Sequence, residues 1–275
     1  MTEVQEPSKT SGIKITLAVV PALLIVSIIV ALYLGANEEQ EKQKPIQGEV
    51  TVAELSDYLE KLNHGIIERS FGSDRGLSGL KQSWSMIQGI LEPPNLGYEV
   101  FRKAEDSSAG ILWPTLWINV GAEEAKEVTV LAVPYGVSGT PIAFALGLAE
   151  YYTMHASKKG IRIVFYPPLM AGDSREWIWD RVSGDDETLK GFVMLHGNGA
   201  SSQWAELEGP ESSGDFLDQL VTKKGWLGNL SRKETQTGEI QVHLGEQGKV
   251  PVSLHGERLL RMMPVMKAIL QEAGN

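Results

Sequence analysis

Four polar side chains are of types that could do chemistry, and each follows a short apolar run of the chain. Asp173 and Glu176 come after one such run, His196 directly follows another, and His255 ends a third near the end of the sequence. Imidazole and carboxylate groups bind metal ions or move protons at neutral pH. We therefore take these four residues as the candidate catalytic or metal-binding set.

Structural roles are open for the same residues. Asp173 and Ser174 form a typical helix N-cap, and Glu176 would then lie in the first turn, where the helix dipole stabilises a carboxylate. His196 lies in the segment 195–198, which fits a turn from a strand into a loop, with a hydrogen-bonded imidazole. For these residues we favour the structural interpretation over catalysis.

The composition excludes several classes of function. The chain has 275 residues and no cysteine, so disulfides, thiol redox chemistry and thiolate metal sites are excluded. Its formal net charge of −10 argues against nucleic acid and against an anionic membrane surface as partners. Adjacent lysines such as Lys158 and Lys159 occur only as pairs. We therefore expect no nucleic-acid partner.

One apolar segment precedes everything that could form a domain. Ile15–Leu34 is uncharged and about twenty residues long, enough to cross roughly 30 Å of hydrocarbon. A cleaved signal peptide is the alternative, but its apolar core is shorter and a small side chain is needed where Leu34 stands. We predict a single-pass anchor that places the large domain outside the cytoplasm, in the periplasm, the extracellular space or the ER lumen. The predicted parts are a cytoplasmic tail over 1–14, the anchor over 15–35, a linker over 36–50 and one α/β domain over 51–275.

Helical and strand-like segments alternate in the large domain. Three buried-strand runs, Val128–Val133, Ile161–Tyr166 and Gly191–Leu195, are separated by helical patterns, which predicts a mostly parallel sheet with helices on both faces. Ligands bind beyond the carboxyl ends of such strands, so the site is expected just after these three runs. The other predicted elements are helices over 51–62, 78–91, 141–154, 174–180, 215–220 and 257–271, a hairpin over 98–102 and 112–120, and strands over 240–244 and 250–254.

Two long segments resemble a known family. Val128–Glu150, in which Val-Pro-Tyr-Gly-Val-Ser-Gly precedes a helix rich in small residues, is similar to the central part of the M28 family of zinc aminopeptidases. Ile161–Trp177 resembles the next strand and helix of that family. The resemblance covers nearly all of the chain after the linker. It implies a three-layer α/β/α domain with a mixed, mostly parallel sheet of the zinc-exopeptidase type.

The metal ligands of that family have no counterparts at the matching positions. Its first strand ends in His-x-Asp, where this chain has Pro134, Tyr135 and Gly136. Its Glu-Glu pair matches Leu169 and Met170, and its later Asp matches His196, the one side chain of this set that could bind a metal. Because a zinc site needs at least three N, O or S ligands and a base beside them, we expect no zinc and no catalysis by the mechanism of that family.

The segment Val133–Gly136 resembles one branch of the family in particular. Its Val-Pro-x-Gly pattern is similar to that of Gaa1, the membrane-anchored subunit of the glycosylphosphatidylinositol transamidase complex. In that branch an M28-like outer domain follows a short inner tail and one span, and several further spans come after it. This sequence runs to Asn275 without further spans. The resemblance implies a pseudoenzyme that acts as a subunit of a protein complex.

Three hypotheses follow for the function. The leading one is a membrane-anchored, non-catalytic M28-like domain that binds a partner or a ligand. The second is a metal-dependent aminopeptidase or amidase whose site is rebuilt from Asp173, Glu176, His196 and His255. The third is a module that binds a lipid, a glycan or a peptide at the membrane. Convergence of the four side chains would favour the second, and an apolar cleft at the strand ends would favour the third.

Overall fold

The computed structural model describes residues 49–106, 112–122, 125–136, 138–168, 175–198, 205–209, 229–232, 240–245 and 252–273. All of them belong to one compact unit, Pro45–Asn275, which is described here by itself. The predicted tail and anchor and most of the linker lie outside these residues. Within the described ranges, no helix combines the length and the apolar character needed to cross a bilayer.

Five α-helices and eight strands make up the described part of the domain. A π-helical turn, Lys61–Gly65, directly continues the first helix. The helices are α1 (Val52–Glu60), α2 (Asp74–Leu91), α3 (Gly139–Met154), α4 (Arg175–Val182) and α5 (Val252–Glu272). The strands are β1 (Phe101–Asp106), β2 (Leu112–Asn119), β3 (Glu127–Pro134), β4 (Gly160–Tyr166), β5 (Thr188–Asn198), β6 (Ala205–Gly209), β7 (Asn229–Arg232) and β8 (Ile240–Gly245).

The strands form one mixed sheet in the order β1-β2-β4-β3-β5-β8-β6-β7. The central strands β4, β3, β5 and β8 run parallel to one another, and β6 pairs parallel with β7. Antiparallel pairing joins β1 to β2, β2 to β4 and β6 to β8. The prediction of a mixed and mostly parallel sheet is confirmed. The carboxyl ends of β3, β4, β5 and β8 therefore meet at one edge.

Alternate residues of the central strands enter two separate cores, as the pleat of a strand requires. Leu131 and Val133 of β3 belong to a large core, which also contains buried residues of α1, α2, α3 and α5. Val130 and Ala132 of the same strand belong to a smaller core with Ile178 of α4. Helices thus cover both faces, which gives the three layers expected from the sequence.

Helix α3 lies at the centre of the large core. Its residues are buried almost throughout, and it packs against both α1 and α5. Gly147 makes this close approach sterically feasible, because a β-carbon there would lie 2.5 Å from Leu55 Cδ2 of α1 and 2.6 Å from Met263 Cε of α5. The three helices are therefore held at a distance that a larger side chain at position 147 would prevent.

The ends of the helices follow from short-range chemistry. Thr51 precedes α1, where its hydroxyl accepts a hydrogen bond from Glu54 N at 3.2 Å and its own N–H donates to the Glu54 carboxylate at 2.7 Å. The two bonds together form a reciprocal capping box, for which Thr51 and Glu54 have the required spacing. Ser73 caps α2 by accepting a hydrogen bond from Gly76 N at 2.9 Å.

The strand predicted over 250–254 is wrong. The chain is helical from Val252, so His255 lies in the first turns of α5 and not at the end of a strand. The buried residues His255, Leu259, Met262 and Met266 recur every three or four positions, which is the period of a helix. This helical period is a stronger signal than the short aliphatic run from which the strand was predicted. The helix predicted over 215–220 lies outside the described residues.

Candidate functional site

The candidate site is the edge at which the parallel strands end. Strand β3 ends at Pro134, and the pairing continues one residue further because Tyr135 N donates to Tyr166 O of β4 at 2.9 Å. Helix α3 begins directly afterwards at Gly139. In a sheet of this topology, ligands bind in the space above these ends.

Tyr135 occupies the position that follows the end of β3, and it is fully buried. Its hydroxyl donates a hydrogen bond to Pro114 O of β2 at 3.1 Å. Burial raises the pKa of this phenol well above its usual value, so the side chain stays neutral. The Tyr135 side chain therefore ties β3 to β2.

Gly136 lies directly against the loop that follows β4. A β-carbon at Gly136 would lie 2.2 Å from Pro168 Cγ and 2.6 Å from Pro168 Cδ, so the proline ring fills the space beside this backbone. The end of β5 approaches the start of α3 equally closely, since a β-carbon at Gly197 would lie 2.3 Å from Ser138 Cβ. The described chain thus packs against itself at these strand ends.

Ser138 has a structural task at this edge. Its hydroxyl accepts a hydrogen bond from Thr140 N at 3.2 Å and so caps α3. Asn63, in the π-helical turn, approaches the same helix end, because a β-carbon at Gly139 would lie 2.0 Å from Asn63 Oδ1. Arg69 holds the turn in place by donating to Leu62 O and, at 2.7 Å, to Ile66 O. This turn was not predicted, because a single π-helical turn leaves no recognisable pattern in the sequence.

His196 contacts a histidine that was not among the four candidates. The rings of His196 and His243 are stacked, with centroids 5.1 Å apart and an angle of 21° between the ring planes. The two residues are directly opposite each other in the β5–β8 pairing. Stacked rings do not direct their nitrogens at a common point, as ligands of one metal ion would have to do.

The other candidates are distributed around the domain. Glu176 is exposed in the first turn of α4, which packs on the face of the smaller core. His255 is buried in α5, which packs in the large core on the opposite face. Asp173, Leu169 and Met170 lie outside the described residues. Glu176 and His255 are therefore placed on opposite faces of the sheet.

A zinc ion at this edge would need ligands from the residues that the structure shows there. Pro134 and Gly136 have no side-chain donor, and His196 is stacked on His243. Across the described ranges, no group of three or more His, Asp or Glu side chains lies close enough to hold a metal ion. These residues do not fit a zinc ion, and we derive no catalytic step through one.

The tryptophans near this edge are mainly structural. Trp113 is buried in the large core, with its ring edge-on to Phe71, whereas Trp117 packs beside the smaller core and stacks on Phe101. Although an even number of positions separates them in β2, the two tryptophans thus face different cores. In α4 the Arg181 guanidinium lies 3.7 Å from the centroid of the Trp177 ring, a cation–π contact.

Gly136 provides a direct test of the packing at this edge. We expect Gly136→Ala to lower the free energy of unfolding by about 1–3 kcal/mol, because the new methyl group overlaps the rigid Pro168 ring. Gly136 does not have positive φ, so the loss would come from this contact and not from backbone strain. Urea unfolding followed by circular dichroism measures the difference.

Gly89→Ala in α2 is the matched control. No atom lies within 4 Å of the position that its β-carbon would take, so the better helix propensity of alanine should raise stability by about 0.5–1 kcal/mol. Wild-type stability for Gly136→Ala would mean that the ends of β3 and β4 are open.

Comparison with solved structures identifies the fold. A leucine aminopeptidase precursor from Bacteroides thetaiotaomicron superimposes with a TM-score of 0.52 at 12% identity, over 82% of this chain and 98% of that one. A glutaminyl cyclase from the same organism, solved with N-acetylhistamine, gives 0.51 at 11% identity, over 82% and 99%. A Zn-dependent exopeptidase from Parabacteroides distasonis gives 0.52 at 10% identity, over 82% and 99%.

These similarities show the fold alone, because the identities are so low. The chain has the fold of the Zn-dependent exopeptidases and glutaminyl cyclases, so the predicted zinc-exopeptidase type of domain is confirmed. No protein-family sequence model and no curated protein matches the chain.

Proposed function

We propose that this chain is a membrane-anchored, non-catalytic M28-like domain that binds a protein partner or a ligand. The observation that carries the proposal is the packing of the strand ends against one another. Where a peptidase of this fold needs an open site, Pro168 lies against Gly136 and Ser138 lies against Gly197. Among the described residues at these strand ends, the space beside Gly136 and Gly197 is filled and no set of three metal ligands is present, which does not suit a metal-bound water and a substrate carbonyl.

The local sequence supports the same proposal. At the position of the M28 His-x-Asp motif this chain has Pro134, Tyr135 and Gly136. The Tyr135 hydroxyl donates its hydrogen bond to Pro114 O. The Val-Pro-Tyr-Gly segment is similar to that of Gaa1, so we propose a role of the same kind, as a scaffold subunit in a complex. The similarity rests on four residues, Val133 to Gly136, and on the order of elements around them.

Anchoring is the second part of the proposal. Ile15–Leu34 would span the membrane with the tail over 1–14 in the cytoplasm, which leaves the domain over 51–275 on the other side. A domain that is fixed at a membrane surface gains effective concentration toward any partner in the same membrane. The function of the protein would then be to hold a binding surface close to the membrane.

Measurements on the full-length chain test both the anchoring and the absence of catalysis. We expect the chain to sediment with membranes, to resist extraction by carbonate and to be released by detergent. The purified protein should hold far less than one zinc ion per chain, since the two histidines at the described strand ends, His196 and His243, are stacked and do not point at a common metal ion. It should cleave no aminoacyl p-nitroanilide and cyclise no glutaminyl peptide above a heat-denatured control.

Two results would contradict the proposal. Stoichiometric zinc together with hydrolysis or cyclisation would favour the enzyme with a rebuilt site, with ligands from the segments that include Asp173. Complete extraction by carbonate would argue against the anchor. A matched aminopeptidase of this fold, purified in the same buffers, controls for loss of metal during preparation.

A further inference from the structure

A cavity lined by lysines lies at the opposite edge of the sheet from the candidate site. Its volume is about 380 Å³, which is within the range of small-molecule sites. It lies at the amino ends of β3 and β4, beside the end of α5. The charged and polar residues around it that matter here are Lys126, Glu127, Lys158, Lys159, Lys190 and Gln271.

The charge in this cavity is opposite in sign to that of the whole chain. Four lysines and one glutamate line it, whereas the chain carries a formal net charge of −10. The glutamate offsets part of the positive charge, since Lys190 Nζ lies 3.6 Å from Glu127 Oε1, with both side chains largely exposed. Exposed pairs of this kind interact weakly. The described residues that line the cavity therefore carry a net positive charge.

One of the four lysines is hydrogen-bonded to the end of a neighbouring helix. Helices α3 and α5 both end near this edge, and the carbonyl end of a helix carries a partial negative charge. Lys159 Nζ donates a hydrogen bond to Gln271 O in the last turn of α5, which accounts for that lysine as a helix cap. Within the described ranges, Lys126 and Lys158 have no hydrogen-bond or ion-pair partner for their ammonium groups.

We propose that this cavity binds the phosphate group of a small ligand or of a lipid headgroup. A phosphate carries nearly two negative charges at neutral pH, so it can pair with both Lys126 and Lys158, whereas a single carboxylate cannot neutralise them. Lysine binds phosphate as a point charge, which suits flexible side chains around an open cavity. This cluster is not visible in the sequence, because its lysines come from three separate segments.

The test compares two probes that carry the same phosphate group on the full-length chain in a neutral detergent. Isothermal titration calorimetry at about 20 mM salt measures the binding of glycerol 3-phosphate and of dihexanoyl phosphatidic acid, with acetate as the monoanion control. We expect saturable binding of at least one phosphate probe, weakened several-fold at 0.15 M salt by screening. Tighter binding of glycerol 3-phosphate indicates a soluble ligand, and tighter binding of the phosphatidic acid indicates a lipid.

The decisive variant is Lys126→Gln combined with Lys158→Gln. We expect about a tenfold loss of affinity, because two point charges leave the cavity. The matched control combines Lys81→Gln and Lys103→Gln, which remove two exposed lysines from α2 and β1 and should leave affinity within about twofold. The absence of saturable binding up to 10 mM of either probe, or equal affinities of the two double variants, would overturn the proposal.

Discussion

Replacing Arg162 with methionine is expected to lower the free energy of unfolding by about 2–3 kcal/mol at pH 7, because Asn119 Oδ1, Val182 O and the half-buried Glu187 carboxylate lose a charged hydrogen-bond donor. The Arg162 side chain is 6% exposed. Its NH1 and NH2 groups donate to the two Glu187 oxygens, each at 2.8 Å, and its Nε donates to Asn119 Oδ1 at 2.8 Å. It also donates to Val182 O at the end of α4. One side chain thus joins β4, β2, α4 and the turn before β5.

Urea unfolding of Arg162→Met measures the loss, and Lys61→Met is the control. Lys61 pairs with Asp57 at 2.6 Å on the surface of α1, where both side chains are more than half exposed, so that variant should lose less than 1 kcal/mol. The double variant with Glu187→Gln should lose less than the sum of the single losses. Equal losses for Arg162→Met and Lys61→Met would show that the Arg162 network contributes no more than a surface pair.

Acidification adds a second observable for the same network. The hydrogen bond from Arg162 lowers the pKa of Glu187 below its ordinary value of 4.5 in the folded protein. The stabilisation that Glu187 supplies is therefore complete above the unfolded pKa and is lost as the pH falls through the lowered folded pKa. In Arg162→Met this acid-side loss should shrink.

Replacing Glu150 with glutamine is expected to make the protein more stable than the wild type at pH 8, by about 2–3 kcal/mol. Glu150 is 2% exposed in α3, and it accepts a hydrogen bond from the Tyr58 hydroxyl of α1 at 3.1 Å. Burial, with the nearby charge of Glu54, raises its pKa from 4.5 to about 7. Ionising this carboxyl under α1 is therefore costly, and glutamine keeps the acceptor for Tyr58 without the charge.

The sign of the pH effect follows from the raised pKa. Between about pH 4.5 and about pH 7 the folded protein holds a proton that the unfolded chain has lost. The stabilisation is therefore complete below pH 4.5, and it declines by about 3 kcal/mol as the pH rises to 7. Chemical unfolding at several pH values should show this slope in the wild type and not in Glu150→Gln.

Glu60→Gln is the matched control for Glu150→Gln, since it removes the same charge from an exposed position of α1. Its stability should follow the pH dependence of the wild type within about 0.5 kcal/mol. The same pH dependence for Glu150→Gln and the wild type would mean that Glu150 ionises freely under α1.

The central part of the fold was predictable because its signals are local and strong. The continuous aliphatic runs of β3 and β4 and the small-residue helix α3 were all located within two residues of their observed bounds. Strands β6 and β7 were missed, since Ala205–Gly209 and Asn229–Arg232 are short and polar. Such short strands form because a partner strand supplies the hydrogen bonds, and that information is not local.

The sequence predicts at which edge of the sheet the candidate site lies, but not which residues contact one another there. The order of elements located the edge after β3, β4 and β5, and the sequence showed that Pro134 and Gly136 offer no ligand. The contacts of Gly136 with Pro168 and of His196 with His243 join residues more than thirty positions apart. They depend on strand order and register, which a single sequence does not specify.

The packing of α1 against α3 and α5 has a consequence for the synthesis of this protein. A β-carbon at Gly256 of α5 would lie 2.7 Å from Ser56 Oγ of α1, so the first and last described helices meet across about 200 residues of chain. Helix α1 leaves the ribosome early, yet the part of its surface that packs on α5 stays uncovered until α5 has been synthesised. At ordinary rates of elongation this interval lasts roughly ten seconds or more. A nascent chain in that interval exposes the surface that chaperones bind, and a message truncated before α5 yields a product in which that surface is never covered.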